Sequence, residues 1–226
     1  MCRQTSPSLK QRIRSGASFC IGSASIDMPE DELGQYLVEK PCDMLFVDLQ
    51  HTPYTEPQLA DFCTVASHLG SPVLLRIRHP DLVCQISSFL DFGAAGVLVP
   101  MAEDPANVSE AIAAFYYPPV GRRSVGPHFA YQYGAFTDPR AYADWWNDSG
   151  VLALQIETLR GVANVRSLAL PGVDLLLFGA TDLSFSLAAN PDSPWCSVED
   201  CQRHVVEQTR DLGVRVGVGD MPFGTF

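Results

Sequence analysis

The stretch FVDLQH places an acid, an amide and an imidazole at the end of an apolar run. Asp48 lies inside that run, and burying a carboxylate costs roughly several kcal/mol unless it is paired or hydrogen-bonded. Two readings stay open for it. It caps the following turn or orients a neighbour, or it pairs with His51 and raises the basicity of the imidazole for proton transfer. The next run, VLLRIRHP, delivers Arg76 and Arg78. Alternation puts both on one side, but Arg78 lies past the last apolar residue, where the loop can turn it away. An inward Arg76 offers a cationic fork suited to an oxyanion or carboxylate, unless a neighbouring acid takes it.

LALQIET sets Gln155 and Glu157 on one side of a later run, and LLLFGATDLS places Asp182 just after the run that follows. Singly, Glu157 reads as helix N-terminal charge and Asp182 as an N-cap ahead of LSFSLA. Together, two carboxylates from consecutive strand ends form an oxygen-ligand set for a hard divalent cation, with positions left for water and a chelating substrate. Lys10 and Lys40 are the only lysines. Both precede the strands they adjoin and so fall away from the catalytic face of a barrel, which argues against Schiff-base chemistry. There is no G-x-S-x-G, and no cysteine follows a strand end in a glycine-rich context, so a nucleophilic triad is not supported. His68, His79, His128 and His204 read as surface or loop residues, with His128 an outside candidate for the mouth.

The elements that must position these residues are short apolar runs alternating with helical-period stretches. Strands are predicted at Phe19–Ser23, Met44–Leu49, Val73–Ile77, Gly96–Val99, Val151–Glu157, Val173–Phe178 and Val214–Val218, with an eighth in Ser124–Phe129. Helices are predicted at Glu30–Val38, Glu56–Leu69, Asp81–Phe92, Pro105–Phe115, Arg140–Asn147, Arg160–Leu168 and Val198–Leu212. Two features favour a (β/α)8 barrel over an open doubly wound sheet. No glycine-rich phosphate loop follows the first strand, and polar residues gather at the ends of several strands. The YYPPVGRRSVGP stretch is expected to form an ordered loop over the barrel mouth.

At 226 residues the chain reads as one domain, residues 1–226, close to the roughly 250 of a barrel. With 46% hydrophobic and 18% charged residues, it has enough apolar material for a core and too little charge for disorder. A net charge of -11 argues against nucleic acid and anionic membranes as partners. The basic run Lys10 to Arg14 reads as the solvated face of a first helix. Seven scattered cysteines without C-x-x-C spacing, and no apolar leader, suit a reducing cytoplasm. No run approaches the ~18 apolar residues of a membrane helix.

The ordered segments FVDLQH, LLRI, GVLVPM, YPPVGRRSVG, LQIET and GVDLLLFGATDLS resemble the HpcH/HpaI aldolase/citrate-lyase-like family from about Leu9 to Val218. The resemblance implies a (β/α)8 barrel of the phosphoenolpyruvate/pyruvate-binding type. It implies Mg2+, Mn2+ or Co2+ held by Glu157 and Asp182, with a 2-oxo acid chelating through its carboxylate and keto oxygen. Arg76 would stabilise the enolate oxygen, and His51, supported by Asp48, would move protons. Gln155 would stand beside the site, and the backbone of Gly179, Ala180 and Thr181 would receive the substrate carboxylate.

The activity implied is reversible cleavage of 4-hydroxy-2-oxo acids to pyruvate and an aldehyde, with oxaloacetate decarboxylation alongside. Gln50 stands where the family has Glu, Thr52 replaces a small residue, and the Gly179–Asp182 turn lacks the family proline. These departures resemble macrophomate synthase, so a biosynthetic lyase using the oxaloacetate enolate is one alternative. A non-catalytic barrel that binds a 2-oxo acid is another. Family members continue into a final helix that packs on a neighbouring subunit in a hexamer. The sequence stops at Phe226, so that helix is expected to be lacking or shortened. A homo-oligomer is expected, hexameric if the helix is dispensable.

Overall fold

The computed structural model describes residues 8–126, 128 and 130–218, together with the backbone of 224–225. Seven short apolar runs form β1 (Cys20–Ser23), β2 (Met44–Asp48), β3 (Val73–Arg76), β4 (Gly96–Val99), β5 (Val151–Ile156), β6 (Leu175–Phe178) and β7 (Arg215–Gly217). They pair in chain order and all in parallel, so the α/β sheet has a single sense from β1 to β7. The two-residue β8 (Gly224–Thr225) adds antiparallel to β1. All seven expected strands are present. Residues 124–126 and 128 form no strand, so the eighth strand expected at Ser124–Phe129 is absent among the described residues; Pro127 and Phe129 lie outside them.

The crossovers carry α2 (Glu30–Glu39), α3 (Glu56–His68), α4 (Ile86–Asp91), α5 (Pro105–Phe115), α6 (Pro139–Ser149), α7 (Leu159–Leu168), α8 (Ala180–Ala188) and α9 (Val198–Thr209), after an N-terminal α1 (Leu9–Arg14). Side-chain caps start most of them: Thr55 and its partner Gln58 form a capping box for α3, while Asp104, Asp138 and Thr158 cap α5, α6 and α7, each satisfying an otherwise orphaned N–H. The helix expected over Asp81–Phe92 is divided into a 3-10 turn, Pro80–Gln85, and α4.

Strand alternation sorts the core into two layers. Ile21, Met44, Phe46, Leu74, Leu98, Ala153, Leu175 and Leu177 share one cluster on the concave side, plugged by Ile13 of α1. Leu45, Val47, Leu75, Val97, Leu154 and Leu176 face the helices. Continuing the concave-side alternation one step along β2, β3 and β5 reaches Asp48, Arg76 and Gln155. The apolar filling thus hands over to polar residues at the C-terminal ends of the strands, where parallel α/β sheets carry their sites.

At the opposite end a buried polar network closes the fold. Asp174, fully buried just before β6, lies 3.4 Å from Lys10 Nζ and accepts from Arg14 Nε at 2.9 Å and from the Leu152 amide at 3.0 Å. Lys10 Nζ also donates to Tyr116 Oη, Asn147 O and Gly150 O. Lys10 is therefore only 2% exposed, a correction to the solvated helix face expected of it. Burial pulls its ammonium down to about 8, against the opposing pull of Asp174.

The described part of the YYPPVGRRSVGP segment, residues 116–126, belongs to this same end and does not cover the mouth; Pro127 lies outside the described residues. It follows a helix, not a strand, and so begins where crossovers return to the strands' N-termini. Tyr116 Oη lies 2.7 Å from Gly172 O, and Arg123 donates to Asp91 at the end of α4 at 2.9 Å, between the rings of Tyr117 and Trp146. Breaking a buried pair by removing one partner is costly. Asp174→Ala, which leaves Lys10 stranded, is expected to lower stability by about 3–5 kcal/mol in urea unfolding. A loss below about 1 kcal/mol would contradict the role assigned to this network.

Candidate active site

Strand register creates the first contact of the site. Asp48 stands opposite Arg76 across β2 and β3. The guanidinium grips the carboxylate with two N–H groups, Nε to Oδ1 at 2.9 Å and Nη2 to Oδ2 at 2.5 Å. Arg76 is 9% exposed and has Phe46 of the apolar layer below it, 5.6 Å from the ring centroid. Its Nη1 reaches Gln155 Oε1 at 3.3 Å. Burial alone would raise the Asp48 carboxyl; the adjoining guanidinium and the Gln50 and His51 amides outweigh it and hold the group below the usual carboxylate range.

The expected Asp48–His51 imidazole pair is not formed. Besides Arg76, Asp48 Oδ1 meets the backbone N–H groups of Gln50, at 2.9 Å, and His51, at 3.4 Å, and not the imidazole. His51 itself is exposed, with no side-chain hydrogen bond among the described residues. The physical reason is geometric: Arg76 offers two parallel donors from the neighbouring strand, while an imidazole three residues on would have to fold back over the turn. Asp48 is thus both a turn cap and the brace of Arg76. Arg78 turns outward as expected, donating to Leu49 O and lying over Tyr54.

Glu157 and Gln155 are both 3% exposed. Glu157 Oε1 accepts from the Met101 amide at 2.7 Å, and its Oε2 has no protein donor among the described residues. Gly179 backs onto both side chains so closely that a Cβ there would collide with Glu157 Oε2 and Gln155 Nε2. Only glycine fits that approach.

Gly179 is also the N-cap residue of α8, with no side-chain cap of its own. Asp182 is therefore the third residue of that helix, exposed, and not the N-cap that it resembles in sequence. The first-turn N–H groups of Ala180, Thr181 and Asp182 have no acceptor among the described residues. A helix start with free donors suits an anion.

Burial lifts the Glu157 carboxyl to about 7, and the negative charge of Asp182 adds to it, against the lowering pull of the Met101 amide and Arg76. Glu157 and Asp182 are thus near enough to repel each other. That repulsion is the electrostatic condition a cation relieves. Among the described residues no group of three or more His, Cys, Asp or Glu side chains is arranged around a common metal position. The donor set fits a hard cation that keeps most of its positions for water and substrate.

The structure therefore brings Asp48, Arg76, Gln155, Glu157 and Gly179 together, with Ala180, Thr181 and Asp182 at the adjoining helix start. His51 stays at the rim. His128 is removed from the mouth: it lines a cavity of about 540 Å3 with Cys63, His68 and Gly93, beside the loop at the other end of the sheet. Met101 was not anticipated, because its contribution is a backbone N–H that a side-chain pattern does not reveal.

A parallel βα sheet with an arginine and two carboxylates gathered at its strand ends defines the class of α/β proteins that place an active site at that face. The chain belongs to the HpcH/HpaI aldolase/citrate lyase family, whose sequence profile matches residues 32–218. It is 32% identical over 181 residues to a hydroxypyruvate/pyruvate aldolase of Chromohalobacter salexigens, covering 78% of this chain and 69% of the relative. It is 32% identical over 180 residues to a 4-hydroxy-2-oxo-heptane-1,7-dioate aldolase of Salmonella dublin, covering 78% and 66%. The crystal structure of an HpcH/HpaI aldolase from Desulfitobacterium hafniense superposes with a TM-score of 0.76 at 26% identity, over 94% of this chain and 81% of that one.

The raised Glu157 carboxyl sets a sign for pH dependence. A group whose folded pKa exceeds its unfolded value adds stability that is full below the unfolded value, about 4.5, and lost as pH rises through about 7. Metal-free protein should therefore lose roughly 3 kcal/mol between pH 4.5 and 7 relative to Glu157→Gln, measured by urea unfolding at each pH. Parallel profiles would refute the buried, repelled carboxyl.

Proposed function

We propose that the chain is a divalent-metal-dependent carbon–carbon lyase that cleaves 4-hydroxy-2-oxo acids reversibly to pyruvate and an aldehyde. The observation that carries this reading is the buried Arg76, braced by Asp48 and Gln155 in the layer that also holds Glu157. Membership of the family and the names of its aldolase relatives support it. On this reading the curled sheet is the greater part of a (β/α)8 barrel, and the protein works as a homo-oligomer. Oxaloacetate decarboxylation accompanies the aldol reaction because it generates the same enolate. A biosynthetic lyase that hands that enolate to another acceptor uses the same residues.

Glu157 and Asp182 would hold Mg2+, Mn2+ or Co2+, which when bound supplies Lewis-acid polarisation of the substrate's keto group. The turn from Gly179 to Thr181 receives the substrate carboxylate through the free amides of Ala180 and Thr181, the Gly179 amide being bonded to Ile156 O. His51 takes the proton from the 4-hydroxyl; the C3–C4 bond breaks, the aldehyde leaves, and the electron pair moves into the enolate of pyruvate. The charge on the enolate oxygen develops against Arg76. Its guanidinium already stands in place, so no reorganisation is needed as the charge grows. Return of the proton to C3 releases pyruvate. Asp48 moves no proton in this scheme; it positions Arg76.

The test is purified protein with a 4-hydroxy-2-oxo acid or oxaloacetate and Mn2+, with and without EDTA, followed by pyruvate release. EDTA-sensitive release is expected, and a folded protein that stays inert overturns the reading. Arg76→Ala should lower turnover by about 10²–10³-fold, the cost of an oxyanion donor. A near-normal rate would remove Arg76 from the chemistry.

A further inference from the structure

Glu157 is held by a backbone donor, and the conformation of that donor is unusual. We infer that the Met101 peptide is the positioning group for Glu157: its left-handed backbone aims the N–H at Oε1 and leaves Oε2 uncommitted beside Gly179. Met101 has a φ of 45°, one of two non-glycine residues with positive φ among those described. A residue with a Cβ adopts that conformation only where its surroundings impose it.

Those surroundings are on both sides of Met101. The chain enters from β4 through Pro100. After Met101, the Ala102 amide donates to Gln155 O at 3.1 Å, tying the loop to β5. Glu103 is then clamped by Thr158 Oγ1 at 2.6 Å and by Asn164 Nδ2, which reaches its carbonyl at 3.0 Å. Gly161 of α7 packs so tightly on Ala102 O that a Cβ would come within 2.6 Å. The β4–α5 loop is thereby stitched to β5 and α7 at successive residues, and the N–H of Met101 points at the one carboxylate between them.

A fixed donor on Oε1 selects one rotamer of Glu157 and determines which oxygen remains for a ligand. Partners of this kind hold a ligating carboxylate in its binding orientation. The consequence for cation binding rests on the reading of Glu157 as a ligand proposed above; the positioning itself does not.

Two measurements on the full chain test this. Amide hydrogen exchange in metal-free protein should show the Met101 N–H protected, with protection falling at least about tenfold in Glu157→Ala. Mn2+ titration should show Met101→Ile, whose β-branched side chain disfavours positive φ, binding about 10–100-fold more weakly. Met101→Gly, which adopts positive φ freely, should stay within about threefold of the parent protein. The inference is overturned if the Met101 amide exchanges alike with and without the Glu157 carboxylate, or if a folded Met101→Ile binds Mn2+ as tightly as the parent. Should Met101→Ile fail to fold, the exchange result decides alone. Should the parent protein bind no Mn2+, the metal reading falls and hydrogen exchange still tests the positioning.

Discussion

The site is organised around a guanidinium that has to be charged and nearly dry at once. Arg76 sits where the apolar filling of the sheet ends, over Phe46, and a cation in that position is stable only with an anion close at hand. Asp48 supplies it through two aligned hydrogen bonds, and Gln155 adds an acceptor on the third side. The pairing fixes the plane of the guanidinium and consumes three of its five N–H groups. The remaining donors are held in orientation before anything binds. That is the arrangement in which a positive charge is most useful to a developing oxyanion.

The two ends of the sheet treat their charges differently. At the strands' N-terminal end, Lys10 uses all three of its N–H groups, Asp174 is bonded on both oxygens, and Arg123 is enclosed by rings. Lys10 and Asp174 are matched to each other, as expected where the fold is held together, whereas Nε and Nη1 of Arg123 have no hydrogen-bond partner among the described residues. At the C-terminal end the groups are partly matched. Among the described residues Glu157 keeps one free oxygen, the first amides of α8 lack acceptors, and the His51 side chain has no hydrogen-bond partner. Incomplete satisfaction in a buried setting costs stability, and at this end it includes the uncommitted oxygen of the buried Glu157.

Much of the site was legible in the sequence because it depends on strand alternation. Asp48, Arg76 and Gln155 each follow an inward apolar residue by two positions, Glu157 follows Gln155 by two more, and that period survives folding unchanged. The partner of Asp48 was not legible in the same way. His51 is three residues away along the chain, whereas Arg76 is adjacent only through the β2–β3 register, a non-local fact. The Tyr116–Gly126 loop is a different case. Its aromatic and glycine-rich composition suits a lid, but its position after a helix assigns it to the far end in any right-handed βα winding. Order along the chain was the better guide there than composition. Met101 was hidden for a third reason, since a backbone amide and a positive φ have no side-chain signature.

Charge balance explains why this site and an anionic substrate belong together only conditionally. Glu157 feels the charges of Arg76, Asp48 and Asp182, so once it ionises these four groups together carry two excess negative charges, within a chain whose net charge is already -11. A 2-oxo acid entering that field would be repelled. Protonating Glu157, whose carboxyl is held near 7, removes only one of those charges. On the proposed reading, a divalent cation held by Glu157 and Asp182 would remove both, where the substrate's carboxylate and keto oxygen would approach. On that reading, the two carboxylates whose charges repel are what makes an anionic substrate admissible. On the proposed reading, cation and substrate bind as an interdependent pair.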